Sequence, residues 1–452
     1  MLIILLALAS LMFIWALLVK PEWVAILLFT LSIANMNIDI NGLPMNLRAI
    51  ITLALFGRVV TLRQSKIKYP AFITTTPGIL FLVYIGYTVM ISLGEDLLTF
   101  ELIKQTISTL ICTYCAYYFF MIKGKADILK TAVILAGIIC FADLAYTYIR
   151  FGSFPVQRIY LQLMGIEPED IEDEGFFIST VNHNFFGQIC ASAFIFILTD
   201  LIKNKKTNWY TMILMPIMFL GVLMSTSRSA LMALIVVAVL LVFNGLRNRE
   251  YRRKVYRMGT FALSAIVVGI LLFTTLGMYF KLDSQFVEEV VFRLTEEPMA
   301  IIQKALGMNY NVQNLGSMDW REESAANAYE AYMRLNFREQ ITGIGQGGFL
   351  ARRLSGGLNP HNGILLILIE SGMIGLFLYA VLIFMVIRKS LQLKNFSPSL
   401  AVVIFTLIYG IGQNGELTSL TTFLFVATVI GEIELINEEK FAWHPPVRTA
   451  RA

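Results

Sequence analysis

The sequence is poor in charged residues, which make up only 15% of its 452 positions, whereas hydrophobic residues make up 57%. Its mean hydropathy of +0.69 excludes an ordinary water-soluble globular domain. The hydrophobic runs are much longer than the roughly ten-residue alternating segments of an outer-membrane barrel. The sequence therefore predicts an all-α fold, a polytopic bundle of transmembrane helices.

Histidine and cysteine are also scarce, with three and four residues. All four cysteines lie in apolar runs, where thiols behave as small buried hydrophobes, so we expect neither disulfides nor a metal site. The Cys112-x-x-Cys115 pair falls inside a predicted helix rather than on a turn near water, where a zinc or redox motif would lie. The first apolar run lacks the basic start of a signal peptide, so we interpret it as a retained span.

Thirteen hydrophobic runs are candidate membrane spans, and three of them are short. Two of the short runs could be tilted or re-entrant, so we expect 12 or 13 spans. The runs cover approximately residues 2–19, 23–38, 47–62, 73–93, 101–122, 128–149, 183–201, 209–224, 229–243, 258–278, 361–387, 398–412 and 420–435. They divide the chain into N-terminal transmembrane helices (1–278), a large loop (279–360), C-terminal transmembrane helices (361–435) and a tail (436–452).

Lysine and arginine are distributed unevenly among the connections. Alternate connections and the tail hold 21 of them, whereas the short connections on the opposite side hold 4. Membrane proteins concentrate these residues on the cytoplasmic side, so we expect the tail to be cytoplasmic and the segments 150–182, 225–229 and 279–360 to face outward.

The large outward loop contains most of the polar residues that could carry chemistry. Its middle, Asp319 to Gln340, has helical character, and Asp319 and Glu322 have the spacing of an N-terminal capping box. The glycine-rich sequence TGIGQGGF follows and predicts sharp turns or a close approach of the backbone to a ligand. We therefore expect the loop to fold as helices over the membrane face.

His361 opens the span that follows this loop. In a continuous helix, Gly372 and Gly375 would lie about 20° and 40° of rotation from His361, on one face that permits close packing. The spacing alone leaves two roles open for His361, local hydrogen bonding at an interface and catalysis. Glu370 lies roughly opposite and well inside the span, where a carboxylate is a functional or structural-pair candidate.

These residues resemble a known family. His361-Asn362, nine further residues and Gly372-Met373-Ile374-Gly375 match the His-Asn/Ser/Gln-x9-Gly-x-x-Gly pattern of the O-antigen ligase and O-antigen polymerase superfamily of membrane glycosyltransferases. Arg321, followed by a helical stretch and a Gly-x-Gly sequence, resembles the family's approach to this histidine.

Two further segments carry the resemblance. Ser225-Thr226-Ser227-Arg228 is similar to the family's Ser-x-Ser-Arg turn, and Asn182-His183-Asn184 is similar to its Asn-Pro-Asn entry into a span, with His183 in place of proline. The polymerases are also associated with an Arg-x10-Gly pattern, which Arg334 and Gly345 fit.

The resemblance implies a fold similar to the GT-C class and a donor glycan joined to undecaprenyl diphosphate. His361 would be the general base, and Arg228, Arg321 and Arg334 would bind the diphosphate. Motif support would come from Ser227, Asn362, Gly372 and Gly375. Inversion at the anomeric carbon would need neither a metal nor a cofactor.

Three functions fit this resemblance. We prefer a polymerase of surface polysaccharide repeat units; the alternative is a ligase that moves a completed glycan onto lipid A core, protein or another acceptor, and a transporter of lipid-linked glycans comes third. The implied location is the bacterial inner membrane, with the active site on the extracytoplasmic face. Partners would be the lipid-linked donor, a glycan acceptor and membrane lipid, with a chain-length regulator or flippase as a further candidate and no nucleic acid.

Overall fold

The computed structural model describes residues 12–34, 47–63, 75–95, 100–121, 126–151, 183–203, 209–225, 227–247, 316–354, 360–392, 397–413 and 416–442, with nine further residues between 252 and 308. Within these ranges the regular structure is helical, and no strand occurs. The predicted all-α fold is therefore confirmed.

Most of the described helices follow the predicted hydrophobic runs, although the last one continues to Ala442, beyond the predicted end at 435. The described helices are α1 (Met12–Val19), α2 (Pro21–Ile33), α3 (Leu47–Arg63), α4 (Thr76–Gly94), α5 (Phe100–Met121), α6 (Ala126–Phe151), α7 (His183–Lys203), α8 (Trp209–Met224), α9 (Arg228–Arg247), α10 (Gly316–Met333), α11 (Phe337–Thr342), α12 (Gly348–Ala351), α13 (Gly363–Gln392), α14 (Pro398–Ile411) and α15 (Leu420–Ala442). A short 3-10 helix, Glu416–Thr418, precedes α15.

Local sequence signals explain several helix starts. α4 and α14 each begin with a proline in the first turn, where its missing N–H has no helical partner to lose. Thr75 and Ser397 cap these two helices by accepting the backbone N–H groups of Gly78 and Leu400.

The core of the bundle lies around α7, the most deeply buried candidate span, which packs against α6, α8, α9 and α14. Outer faces of the bundle carry exposed large apolar side chains, such as Phe243 of α9 and Phe377 of α13, each 67% exposed. Apolar residues on both the inner and the outer face suit a lipid environment. The chain is thus a multi-pass helical membrane protein.

The lengths of the described helices bear on the predicted number of membrane spans. Among the described residues, five helices are long and apolar enough to cross a membrane, or six if α1 and α2, which meet at an angle of 112°, form one bent span. α8 and α14 are apolar but shorter. The sharp bend falls at Lys20 and Pro21, where we expected two separate spans, and most of the predicted span 258–278 lies outside the described residues. The number of 12 or 13 spans stays a prediction.

Cys112 and Cys115 are buried inside α5, as their sequence position predicted. The Cys112 thiol lies 3.8 Å from the hydroxyls of Ser32 in α2 and Thr52 in α3. The buried Cys112 thiol therefore packs where α5 contacts α2 and α3.

The middle of the predicted loop is helical, as expected, but its cap is elsewhere. α10 begins at Gly316, so the prediction of a capping box at Asp319 is wrong. The box lies instead at the start of α11, where the Asn336 side chain accepts the Glu339 N–H and the Glu339 carboxylate accepts the Asn336 N–H. Asn336 has the extended backbone of an N-cap, whereas Asp319 already follows helical residues.

Candidate functional site

His361 lies in a short linker at the start of α13. Its backbone has a φ of +46°, which is uncommon for a residue with a side chain. The next residue, Asn362, caps α13 because its side-chain oxygen accepts the Leu365 N–H at 3.0 Å. The His-Asn pair therefore combines a strained residue with a helix cap, and it fixes the imidazole at the helix entrance.

α13 is broken at Gly372, whose φ of +65° and ψ of −174° are not helical. The prediction of one continuous helical face from His361 through Gly372 to Gly375 is therefore wrong. Only glycine readily adopts this backbone conformation, because a Cβ would clash with its own backbone. The glycine in the motif marks a break in the helix.

The glycine-rich loop after α11 packs directly onto this break. The Ile344 and Gly345 N–H groups donate to the carbonyls of Ile369 and Glu370 at 3.2 and 2.9 Å. These bonds satisfy carbonyls that the broken helix leaves without helical partners. A Cβ on Gly343, whose φ is +87°, would lie 2.3 Å from the Glu370 carbonyl oxygen, so two glycines meet backbone to backbone at this contact.

Glu370 has a structural partner at the same place. Its carboxylate accepts the Gly347 N–H at 2.9 Å and also the Phe349 N–H at the start of α12. Of the two roles that the sequence left open for Glu370, these bonds support the structural one, because the carboxylate fastens the glycine-rich loop to α13.

The loop is also fastened to α4. The Tyr87 hydroxyl donates to the Thr342 carbonyl at 2.8 Å, and the Gln346 N–H donates to the Ser92 hydroxyl at 2.9 Å. Gly375 faces the same helix, since a Cβ there would lie 3.2 Å from the Tyr87 ring. The close packing predicted for Gly375 therefore exists, with α4 as the neighbour.

Arg352 adds an ion-pair bridge outside the bundle. Its guanidinium contacts the carboxylates of Glu95, at the end of α4, and Glu339, in α11, at 2.5 and 2.7 Å. The hydrogen bond from Arg352 lowers the pKa of Glu339 below its usual range. The bridge ties the helices of the loop to the end of α4.

The Ser-Arg turn, which contains Ser227 and Arg228, packs against the first turn of α7. Ser227 donates its hydroxyl to the side-chain oxygen of Asn184 at 2.9 Å and accepts the Ala230 N–H at 3.4 Å, so it caps α9. A Cβ on Gly187 would lie 2.8 Å from the Ser227 Cβ, so only glycine permits this approach. Arg228 is the first residue of α9 and is half-buried at this turn.

Arg321 connects the loop to this turn and to His361. Its Nη1 lies 3.4 Å from the hydroxyl oxygen of Ser229, the residue that follows Arg228 in the chain. Burial lowers the pKa of His361 below its ordinary value of 6.5, and the positive charge of Arg321 lowers it further. The structure thus brings Arg321 close to His361 and to Ser229, the residue that follows Arg228 in the chain.

Arg334 lies outside this cluster. It follows α10, is 76% exposed at its side chain and pairs with Glu330 one helical turn earlier, at 2.6 Å. Thirteen residues of helical rise separate it from Arg321, about 20 Å. A role of Arg334 in diphosphate binding stays a prediction.

The cluster has the electrostatics of an anion site next to a base. The first turns of α7 and α9 meet here through the bond between Asn184 and Ser227, and helix N-termini carry partial positive charge that adds to that of Arg321. Neutral imidazole is the dominant form of His361 near pH 7 because its pKa is lowered. Within the described ranges, no three His, Cys, Asp or Glu side chains are grouped so that they could hold a metal ion.

Two residues at the site were missed from the sequence. Ser229 directly follows the recognised motif, and Gln413 lies just after α14, where its side-chain nitrogen contacts the Ser229 hydroxyl oxygen at 3.4 Å. Proximity to Arg228 is a signal that could have pointed to Ser229. Nothing in the local sequence around Gln413 indicates its position, because α14 joins the site only through tertiary packing.

Residues 213–380 match the family described as O-antigen ligase, a region that contains Arg228, Arg321, His361 and both glycines of the motif. No curated protein sequence matched the chain. The matched region confirms the resemblance that the motifs predicted, and it implies a glycosyltransferase-like enzyme. The chain therefore carries a domain of the O-antigen ligase family, in the O-antigen ligase and polymerase superfamily, with a glycan-transfer function of the ligase or polymerase type.

Proposed function

We propose that this protein transfers a glycan from undecaprenyl diphosphate to a sugar hydroxyl, with Arg228 and Arg321 at the diphosphate and His361 as the general base. The observation that carries the proposal is the position of Arg321, which reaches the Ser-Arg turn at Ser229 and influences His361 electrostatically. An anion-binding group and a base are thus adjacent, as transfer from a diphosphate leaving group requires.

The leaving group explains the arginines. Cleavage of the bond between the anomeric carbon and the diphosphate oxygen develops negative charge on that oxygen. Two guanidinium groups at the N-terminus of α9 would stabilise this charge in a site that is partly shielded from water. Activation of the donor by its diphosphate supplies the driving force.

The acceptor explains the histidine. A sugar hydroxyl is a weak nucleophile at neutral pH, and a positioned base increases its reactivity by about 10²–10⁴. His361 would accept the hydroxyl proton while the hydroxyl oxygen bonds to the anomeric carbon on the side opposite the diphosphate. Attack from that side inverts the anomeric configuration, and these residues would perform it without a metal or nucleotide.

Polymerisation of repeat units is our first choice of reaction. Ligation of a completed glycan to lipid A core, protein or another acceptor uses the same donor chemistry, and the family description favours it as a second candidate. The distribution of lysine and arginine supports an orientation in which the site opens on the outer face of a bacterial cytoplasmic membrane.

The test is transfer by purified protein in nanodiscs that contain an undecaprenyl-diphosphate-linked repeat unit. We compare the wild type with His361→Ala and Arg228→Ala, and we expect losses of about 10²–10⁴ in rate for each. Arg388→Ala is the matched control, because this arginine is near the far end of α13, where it lies over the Phe384 ring, and its removal should leave transfer unchanged.

The products distinguish the candidate reactions. A ladder of longer lipid-linked glycans identifies a polymerase, and a single transfer to an added lipid or protein acceptor identifies a ligase. Transfer activity that survives His361→Ala would disprove the role of His361 as the general base. Movement of the lipid-linked unit across vesicles, with no transfer to any acceptor, would replace the proposal with a transporter.

A further inference from the structure

The end of α14 contributes a buried amide to the anion site. Gln413 is only 5% exposed, and its Nε2 donates towards the Ser229 hydroxyl oxygen at 3.4 Å. The adjacent Gly412 makes room for this contact, since a Cβ there would lie 3.1 Å from the same oxygen. The backbone and the side chain at the end of α14 thus both approach Ser229.

Ser229 occupies a central position between two donors. A serine hydroxyl has two acceptor lone pairs and one proton. Arg321 donates from the loop and Gln413 donates from α14, so the two lone pairs are both occupied. Among the described residues, this hydroxyl accepts hydrogen bonds and donates none, so its proton is available. It can be donated to a ligand that enters the site.

α14 is also fixed relative to His361. A Cβ on Gly363, the first residue of α13, would lie 2.7 Å from the Gly410 carbonyl oxygen in α14. The backbone that carries Gln413 therefore packs against the helix start that carries the imidazole.

On the basis of the proposed function, we propose that Ser229 is a further diphosphate-binding residue and that Gln413 is the positioning residue that directs its hydroxyl proton to a phosphate oxygen. A neutral amide suits this role, because it occupies the serine lone pair without placing negative charge near the diphosphate. A carboxylate at position 413 would compete for the hydroxyl proton and for Arg321, and it would repel the ligand.

The primary experiment measures binding of undecaprenyl diphosphate itself to the full-length protein in nanodiscs, which requires no turnover. A hydrogen bond to a charged group corresponds to about a tenfold to hundredfold change in Kd. We expect Ser229→Ala and Gln413→Leu to raise Kd by about tenfold or more, and Gln413→Glu to raise it further. The matched control is Thr406→Val, a buried position in α14 whose hydroxyl bonds only within its own helix.

Two readouts separate positioning from a general structural defect. If Gln413 acts through Ser229, the double variant Ser229→Ala/Gln413→Leu should bind no more weakly than Ser229→Ala alone. In transfer assays, Ser229→Ala should raise the KM for the lipid-linked donor while the KM for the acceptor stays unchanged. Ser229→Thr, which keeps the hydroxyl, should recover binding.

The outcomes for this inference and for the proposed function are distinct. If the wild type binds undecaprenyl diphosphate and both Ser229→Ala and Gln413→Leu bind like Thr406→Val, the inference is wrong, even where His361→Ala abolishes transfer. If the double variant shows the product of the two single effects, Gln413 does not act through Ser229. A wild type that does not bind the diphosphate lipid overturns both proposals.

Discussion

Gly372→Ala tests whether the break in α13 and the glycine-rich loop form one unit. An alanine would have to adopt a φ of +65° and a ψ of −174°, a glycine region that destabilises other residues by about 1–3 kcal/mol. Its Cβ would lie 2.3 Å from the Ile341 carbonyl oxygen and 2.4 Å from the Gly343 nitrogen, so the loop must move away. This movement removes two backbone hydrogen bonds, each about 1 kcal/mol. We therefore expect a loss of about 3–5 kcal/mol.

The assay is thermal and denaturant unfolding in detergent, combined with limited proteolysis of the loop. Gly86→Ala in α4 is the matched control, because its Cβ would meet no atom within 4 Å and it lies in a regular helix. This control should be neutral or stabilising by up to about 1 kcal/mol. Gly343→Ala should resemble Gly372→Ala, and the double variant should lose less than the sum of the two, because both remove the same contact.

The refuting result is also clear. If Gly372→Ala unfolds at the same denaturant concentration as Gly86→Ala and its loop is equally resistant to protease, the backbone contact between Gly343 and Gly372 does not hold the loop. Strict additivity of the two variants would show that the glycines act at separate places.

Three further predictions concern the site. Protonation of His361 removes the general base, and burial and Arg321 lower its pKa below the ordinary value of 6.5. The rate of wild-type transfer, measured against pH, should therefore fall only below pH 6.5. The residual activity of Arg321→Gln should fall at a higher pH, because the positive charge that lowers the pKa is gone. Arg334→Ala should reduce the initial transfer rate less than Arg321→Ala does, because Arg334 lies at the surface; an equal loss would place it in the site. Ser227→Ala should lower the free energy of unfolding, measured in detergent, by about 1–2 kcal/mol, because it removes a helix cap and the bond to Asn184. An unchanged free energy of unfolding would contradict the cap.

Helix positions could largely be predicted from the sequence. α8 ends at Met224 and α14 begins at Pro398, as the apolar runs predicted, because the membrane selects for apolar length and prolines mark helix starts. The identity of Arg321 and His361 as candidates came from motif spacing. Their proximity did not, because it depends on how α10 folds back onto the turn before α9.

Other features depend on tertiary contacts and have weak local signals. The break at Gly372 lies well inside the predicted span 361–387, and a helical wheel assumes that no break exists. Isolated glycines are tolerated in transmembrane helices, so composition alone does not distinguish a packing glycine from one with positive φ. Gln413 was missed for the same reason, since α14 reaches the site through tertiary contacts with Ser229 of α9 and with Gly363 of α13.

The structure gives a physical meaning to the nine-residue spacing in the His-Asn-x9-Gly motif. The segment from His361 to the break at Gly372 contains one short, regular helix of about 13 Å. One end carries the imidazole, and the other end holds the glycine-rich loop that follows α10 and α11. Arg321 of α10 influences His361 at one end of this helix, and the glycine-rich loop is attached at the other end. The chain between Arg321 and the glycine-rich loop must therefore span the length of the helix. A change of one residue would rotate His361 by about 100° relative to the loop attachment, so the spacing determines how the base meets the arginine.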